Sequence, residues 1–210
     1  MIAPFEETRW SIALAEAFRW HEGQTRKSSG QPYVIHCVEV AAMLERLGFD
    51  ESVVIAGLLH DTLEDTESPP DRIAELFGDR VLAIVQALTE RKYDENRRKR
   101  AWIDRKREHI GHLSRSQESV RAVALADQRQ NLTSVLRDWK TGDASFWNEF
   151  NGTPPDYLNY HQTRLIACEG PEACLAPLIE GVREALTLLG VRIADELADV
   201  VPKFDEKDWD

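Results

Sequence analysis

The sequence predicts an all-α protein. Apolar residues recur at helical intervals in nearly every segment. Pro32, Gly48, Pro69-Pro70 and Gly78 stand at joints between segments, where first-turn prolines and terminal glycines belong. One stretch, Val53-Val54-Ile55-Ala56-Gly57-Leu58-Leu59, is apolar on every side and could be a buried strand taken alone. Its pattern continues too far for that, so it reads as a helix in the centre of the protein.

Taken in order, residues 5–20 place Phe5, Trp10, Leu14, Ala17 and Phe18 on one helical face. A polar loop follows from Glu22 to Gln31. Pro32 opens a second helix that runs to Leu47 and ends at Gly48, and Asp50 or Ser52 can cap the third. Asp71 to Phe77 reads as a short helix stopped by Gly78, with another beginning at Val81. Residues 94–112 are very polar, with only Trp102, Ile103 and Ile110 as an apolar stripe, which predicts a surface helix. Ser116 to Trp139 predicts a long helix, 140–156 a loop, and 157–168 and 172–198 two further helices. The acidic tail from Pro202 to Asp210 is expected to fray. Neither repeats nor a linker divides the chain, so residues 1–210 read as a single domain. Its core spans about 5–140, and the helices of about 155–200 pack on it.

Composition narrows the function. The chain has 210 residues, 42% hydrophobic and 30% charged, with a net charge of −11. That balance argues against coating a nucleic acid polymer, which needs a broad basic face to displace counterions. It leaves room for a small phosphorylated ligand in a locally basic pocket. No run approaches the roughly 18 apolar residues of a membrane span. The start, MIAPFEETRW, has acids where a secretory signal needs a basic segment. A cytoplasmic location without membrane attachment is therefore expected, and homo-oligomerisation is left open. Cys37, Cys168 and Cys174 fit neither a disulfide framework nor a zinc knuckle.

Function shows in polar groups set within apolar helices, because burying them is costly without compensation. His36 shares a face with Val40, Met43 and Leu47; alone it reads as a core histidine. His60-Asp61-Thr62-Leu63-Glu64-Asp65 closes the most buried helix with four ionisable groups in six residues. Acids at a helix C-terminus oppose its dipole, and a nearby cation would offset that. Asp127 ends the run Val120 to Ala126, with Asn131 and Ser134 on its face. Its plain explanation is an arginine partner such as Arg129 or Arg26. Together, His36, His60, Asp61 and Asp127 make a nitrogen–oxygen donor set suited to Mn²⁺, Fe²⁺ or Zn²⁺. One difficulty stands: adjacent helical residues diverge by about 100°, so His60 and Asp61 share an ion only if it straddles both faces.

The order His36, His60-Asp61, Asp127 resembles the HD metal-dependent phosphohydrolases. The surrounding text resembles the hydrolase domain of RelA/SpoT-type proteins: His21-Glu22-Gly23-Gln24-Thr25-Arg26-Lys27, Pro32-Tyr33-Val34-Ile35-His36, Leu58 to Thr66, Phe77-Gly78, Leu88-Thr89-Glu90-Arg91-Lys92, and Leu125-Ala126-Asp127 with Asn131-Leu132. The match covers about residues 10–140 and fits best the stand-alone small alarmone hydrolases. It departs at Cys37, where the family usually has proline, at Ala124, where lysine is common, and in the Lys27–Pro32 loop.

The resemblance implies an HD helical fold with added C-terminal helices. It implies removal of the 3′-pyrophosphate of (p)ppGpp to give GDP or GTP plus pyrophosphate, with Mn²⁺ as the usual ion though another divalent ion would serve. On this reading His36, His60, Asp61 and Asp127 hold the metal. Glu64 and Asp65 orient or deprotonate water. Arg26 and Lys27 neutralise phosphates or stack on the base, and Asn131 and Ser134 hydrogen-bond ribose or base. Lys92, the Arg97–Arg100 cluster, Tyr157 and Tyr160 are weaker candidates for substrate contact. Two alternatives share the fold. The same ligands would serve an adenine alarmone, a nicotinamide dinucleotide phosphate or a 5′-mononucleotide, or the chain could be a non-catalytic, antitoxin-like alarmone binder.

Overall fold

In a computed structural model, which describes residues 8–200 other than 28, 141 and 142, the described chain is helical throughout, apart from loops and two isolated bridges. Phe5 and the acidic tail lie outside the described residues. The helices are α1 (Arg9–Trp20), α2 (Val34–Arg46), α3 (Glu51–Leu59), α4 (Thr62–Asp65), α5 (Pro70–Phe77), α6 (Asp79–Leu88), α7 (Trp102–Leu113), α8 (Glu118–Asp138), α9 (Pro154–Cys168) and α10 (Ala176–Val200).

Local chemistry sets their starts. Thr8 caps α1 through the amide of Ser11, and Asp50, rather than Ser52, caps α3 through the amides of Ser52 and Val53. Pro32 stands just ahead of α2, which begins at Val34. Thr153 and Asp156 form a capping box that starts α9 at Pro154.

The centre is α3, whose residues Val53 to Leu59 are all buried, against α1, α2, α6 and α8. Gly57 lets α2 come close, since a Cβ there would lie 2.5 Å from Leu44 Cδ1. The long α8 packs on α2 and α3 on one side and on α9 and α10 on the other. None of the described helices is long and apolar enough to cross a membrane.

Two stretches differ from the sequence reading. The surface helix expected over 94–112 begins only at Trp102. Before it, Tyr93 and Lys99 bridge, Arg97 takes a positive φ of 59°, and the Asp94 carboxylate accepts the amides of Asn96 and Arg98. That carboxylate satisfies the backbone locally and competes with a helix. The stretch 140–156, read as loop, holds a 3₁₀ segment, Ala144–Glu149. Phe146, Trp147 and Phe150 from this stretch pack with one another, with Trp139 just past the end of α8, and with Tyr157 of α9.

Candidate metal centre and its cleft

The site is assembled from α2, the α3–α4 junction and α8. His36, on α2, is buried, and its Nδ1 lies against the Gln130 side-chain oxygen. The Gln130 amide nitrogen donates to Glu39 at 2.6 Å, which fixes that oxygen toward His36 and makes Nδ1 the donor. His60 Nδ1 lies 2.8 Å from the carbonyl of Gly57 and donates to it. Both imidazoles therefore turn an unprotonated Nε2 inward in their neutral forms, 3.2 Å apart. Asp61 Oδ2 lies 3.0 Å from His60 Nε2 and 3.5 Å from His36 Nε2. Asp127 Oδ1 lies 3.3 Å from His36 Nε2 and 3.7 Å from His60 Nε2. Ligand atoms of His36, His60 and Asp127 all fall within 4.8 Å of one another. Four acceptors converge with their donor groups turned away, an arrangement that calls for a cation and fits a divalent ion.

The chain ends α3 at Leu59 and starts α4 at Thr62, so His60 and Asp61 sit in a break between two helices. Asp61 has φ −97° and ψ −3°, off the regular helical path. The 100° divergence expected along an unbroken helix is removed, and both side chains reach one point.

Electrostatics follow from this crowding. Burial opposes charge on His36 and His60, but the neighbouring carboxylates outweigh it and raise both pKa values. Burial likewise opposes charge on Asp61 and Asp127, and is outweighed by His60 at Asp61 and by Arg164 at Asp127. Both acids stay well below the usual carboxylate range.

Asp127 does have an arginine partner, and it is neither Arg129 nor Arg26. Arg164, from α9, donates to Asp127 Oδ2 at 2.8 Å and leaves Oδ1 facing the imidazoles. Arg26 donates to Asn131 Oδ1 at 2.8 Å, and the Asn131 amide donates to Asp127 Oδ1. Tyr33 donates to Asp61 Oδ2 at 2.6 Å. Its ring stacks on His21, with Arg26 5.6 Å from the ring centre.

A cleft of about 420 Å³ opens over these groups. Arg26, Lys27, Glu64, Asp65 and Asn131 all line it, as do Tyr157 and Tyr160. Glu64 accepts the amide of Glu90 at 3.1 Å and lies 3.6 Å from Lys92. Burial, then the charges of Glu90 and Asp61, push its pKa up to about 7. Asp65 is paired with Lys92 at 2.6 Å. Ser134 is not in the cleft. It is buried, donates to Asp138 at 3.1 Å, and borders a separate groove. Seven residues along a helix keep it on the face of Asp127 but carry it about 10 Å further along the axis.

Sequence reasoning missed the far wall, made of Lys106, His109, His161 and Arg164. Burial, then Arg164, pulls His109 down to about 4 and His161 to about 3, so both are neutral near pH 7. A signal was present: His161 and Arg164 share the buried stripe of α9 with Leu165 and Cys168. Two polar residues on such a stripe mark a site as His36 did. Cys37 and Cys168 are buried and Cys174 is exposed, all unpaired.

A helical core that brings a histidine, a His-Asp doublet and a distant aspartate to one point defines the HD class. The family model described as HD domain matches residues 13–143, and the chain belongs to that family. Among curated proteins it is 36% identical over 129 residues to a probable GTP diphosphokinase of Oryza sativa, a stretch covering 59% of this chain and 18% of that protein. It is 46% identical over 67 residues to the guanosine-3′,5′-bis(diphosphate) 3′-pyrophosphohydrolase of Aquifex aeolicus, covering 32% of this chain and 10% of that one. The chain thus spans less than a fifth of either relative. Among solved structures, one described as a metazoan ortholog of SpoT that hydrolyzes ppGpp superposes with a TM-score of 0.72 at 26% identity, covering 90% of this chain and 99% of that chain. A Listeria monocytogenes protein superposes at 0.63 with 32% identity, covering 75% and 95%.

Proposed function

We propose that this chain hydrolyses (p)ppGpp at the 3′ position, releasing pyrophosphate and leaving GDP or GTP, with Mn²⁺ held by His36, His60, Asp61 and Asp127. The observation that carries the reading is the convergence of those four acceptors under a cleft that also holds a carboxylate with a pKa near 7, Glu64. The metazoan neighbour, which shares the fold over 99% of its length, is described as hydrolysing ppGpp, and the Aquifex relative carries the matching name. Residues 1–210 are read as one HD hydrolase unit, with α9 completing the cleft wall and α10 packing behind it on α8 and α9.

The bound ion would lower the pKa of water and offset charge on the phosphate under attack. The chain's own residues supply the rest. Glu64 takes the proton from water, and a pKa near 7 leaves it able to accept at neutral pH. Asp65, fixed by Lys92, orients that water. Arg26 and Lys27 at one side and Lys106 and Arg164 at the other face the phosphates, and Asn131 reaches the ribose or base. Tyr157 and Tyr160 wall the cleft and restrict water.

A panel of guanine, adenine and nicotinamide nucleotides assayed with Mn²⁺, with products separated by ion-exchange chromatography, tests this. The expected result is intact pyrophosphate from (p)ppGpp, lost in His60→Ala and Asp61→Ala. Release of single phosphates, or turnover confined to another nucleotide, refutes it.

A further inference from the structure

Arg129 follows Asp127 by two residues, so α8 carries it to a different face. It sits between α2 and α10, half-buried. Its guanidinium lies across Gly181 of α10, where a Cβ would stand 2.5 Å from Nε and 2.6 Å from Cζ. A glycine inside a helix is less stable than alanine there, so helix stability is given up to seat this cation. Among the described residues no carboxylate meets it; its contact is Met43 Sδ, 4.0 Å away. Arg46, in the last turn of α2, likewise has no acid partner among the described residues. With Arg137, which is paired with Asp138 at 2.8 Å, they line a groove of about 460 Å³ between α2 and α8. The carboxylate in its lining, Glu39, is engaged by Gln130 at 2.6 Å.

With Arg137 matched by Asp138 and Arg46 and Arg129 facing Glu39 alone, the groove carries a local positive excess, the reverse of the chain's net charge of −11. A half-buried arginine with a cut-out seat and no counter-ion calls for an anion. Forked guanidinium donors match phosphate oxygens, and the volume falls within the usual range for small ligands.

We propose that this groove is a second anion site, separate from the cleft, that takes a pyrophosphate or polyphosphate group. Its floor includes Gln130, whose side-chain oxygen orients His36. The ligand therefore binds one side chain away from a metal ligand. The site does not depend on the activity proposed for the cleft.

The test is calorimetric titration of inorganic pyrophosphate into metal-free protein whose cleft is disabled by Arg26→Ala with Lys106→Ala. One saturable site is expected to remain. Arg129→Gln in that background weakens it at least tenfold while circular dichroism is unchanged. Gly181→Ala, which alters no charge but displaces the guanidinium, weakens it as well. GDP in the same background tells the two sources of the group apart: tighter binding than pyrophosphate means a nucleotide carries it, weaker binding means the free anion, and both keep the site. If the double variant does not fold, stoichiometry in the unaltered cleft gives the answer: two pyrophosphates per chain, falling to one in Arg129→Gln. An affinity or stoichiometry that Arg129→Gln leaves unchanged overturns the proposal.

Discussion

Replacing Glu64 by glutamine is expected to abolish turnover and yet to stabilise the metal-free protein above neutral pH. Burial, then the charges of Glu90 and Asp61, lift the folded-state pKa from 4.5 to about 7. The 2.5-unit difference (7 − 4.5), at about 1.4 kcal/mol per unit, means that ionised Glu64 costs the fold roughly 3 kcal/mol. An acid with a raised folded pKa binds its proton more tightly folded than unfolded. Its penalty is absent below about pH 4.5, grows as pH rises to about 7, and is constant beyond. Glutamine carries no charge and keeps an oxygen for the Glu90 amide. Urea denaturation of both proteins with metal removed should therefore show Glu64→Gln more stable by roughly 3 kcal/mol at pH 8 and by only about 1 kcal/mol at pH 5. Taking the difference between variants cancels the titrating groups that do not interact with Glu64 and leaves Glu64 with its coupled neighbours Lys92 and Lys106. A gap that does not change between the two pH values would refute the account of Glu64, and with it the assignment of Glu64 as proton acceptor.

Two further substitutions test how the ligands are held. Tyr33→Phe removes the donor to Asp61 Oδ2, and Mn²⁺ affinity measured by calorimetry should fall about tenfold with the fold intact; equal affinity would mean that Tyr33 does not position Asp61. Arg164→Gln leaves Asp127 Oδ2 without its buried cation, so the protein in EDTA should lose about 3 kcal/mol of stability and regain part of it on adding a divalent ion. Coincident unfolding of variant and wild type in EDTA would show that the pair is not holding the carboxylate.

Ligand-bearing segments are legible in the sequence because charge in the middle of an apolar helix has few explanations. His36, the His60–Asp65 cluster and Asp127 stand out on that ground, and the helices around them are marked by Asp50, Gly48 and Gly78. What periodicity does not carry is backbone conformation that local side chains decide. Asp94 folds a tight loop where polar composition suggests a helix, and the break at His60–Asp61 is invisible in a pattern that continues through it. Long-range pairing is equally hidden: Arg164 is 37 residues from Asp127, while Arg129 and Arg26, nearer in sequence or in motif, turn elsewhere. Ser134 shows the complementary limit, since a shared helical face says nothing of distance along the axis.

The pattern of pairing among the cleft acids separates their roles. Asp65 is neutralised by Lys92 at 2.6 Å, Glu90 by Arg105 at 3.1 Å and by Lys106, and Asp127 by Arg164 at 2.8 Å. Two acids lack so close a lysine or arginine. Asp61 meets only Tyr33 and the imidazoles, and the nearest cation to Glu64 is Lys92 at 3.6 Å. The cleft acids least matched by lysine or arginine thus stand at one point between the histidines and one in the cleft wall. At the first point the protonated imidazoles meet the charge, and an external cation is called for once His36 and His60 are neutral and turn bare nitrogens to it. At the second, burial and the charges of Glu90 and Asp61 outweigh Lys92 and lift the pKa. On the proposed reading, weak pairing with lysine or arginine suits Asp61 to hold a metal ion and Glu64 to act as a base.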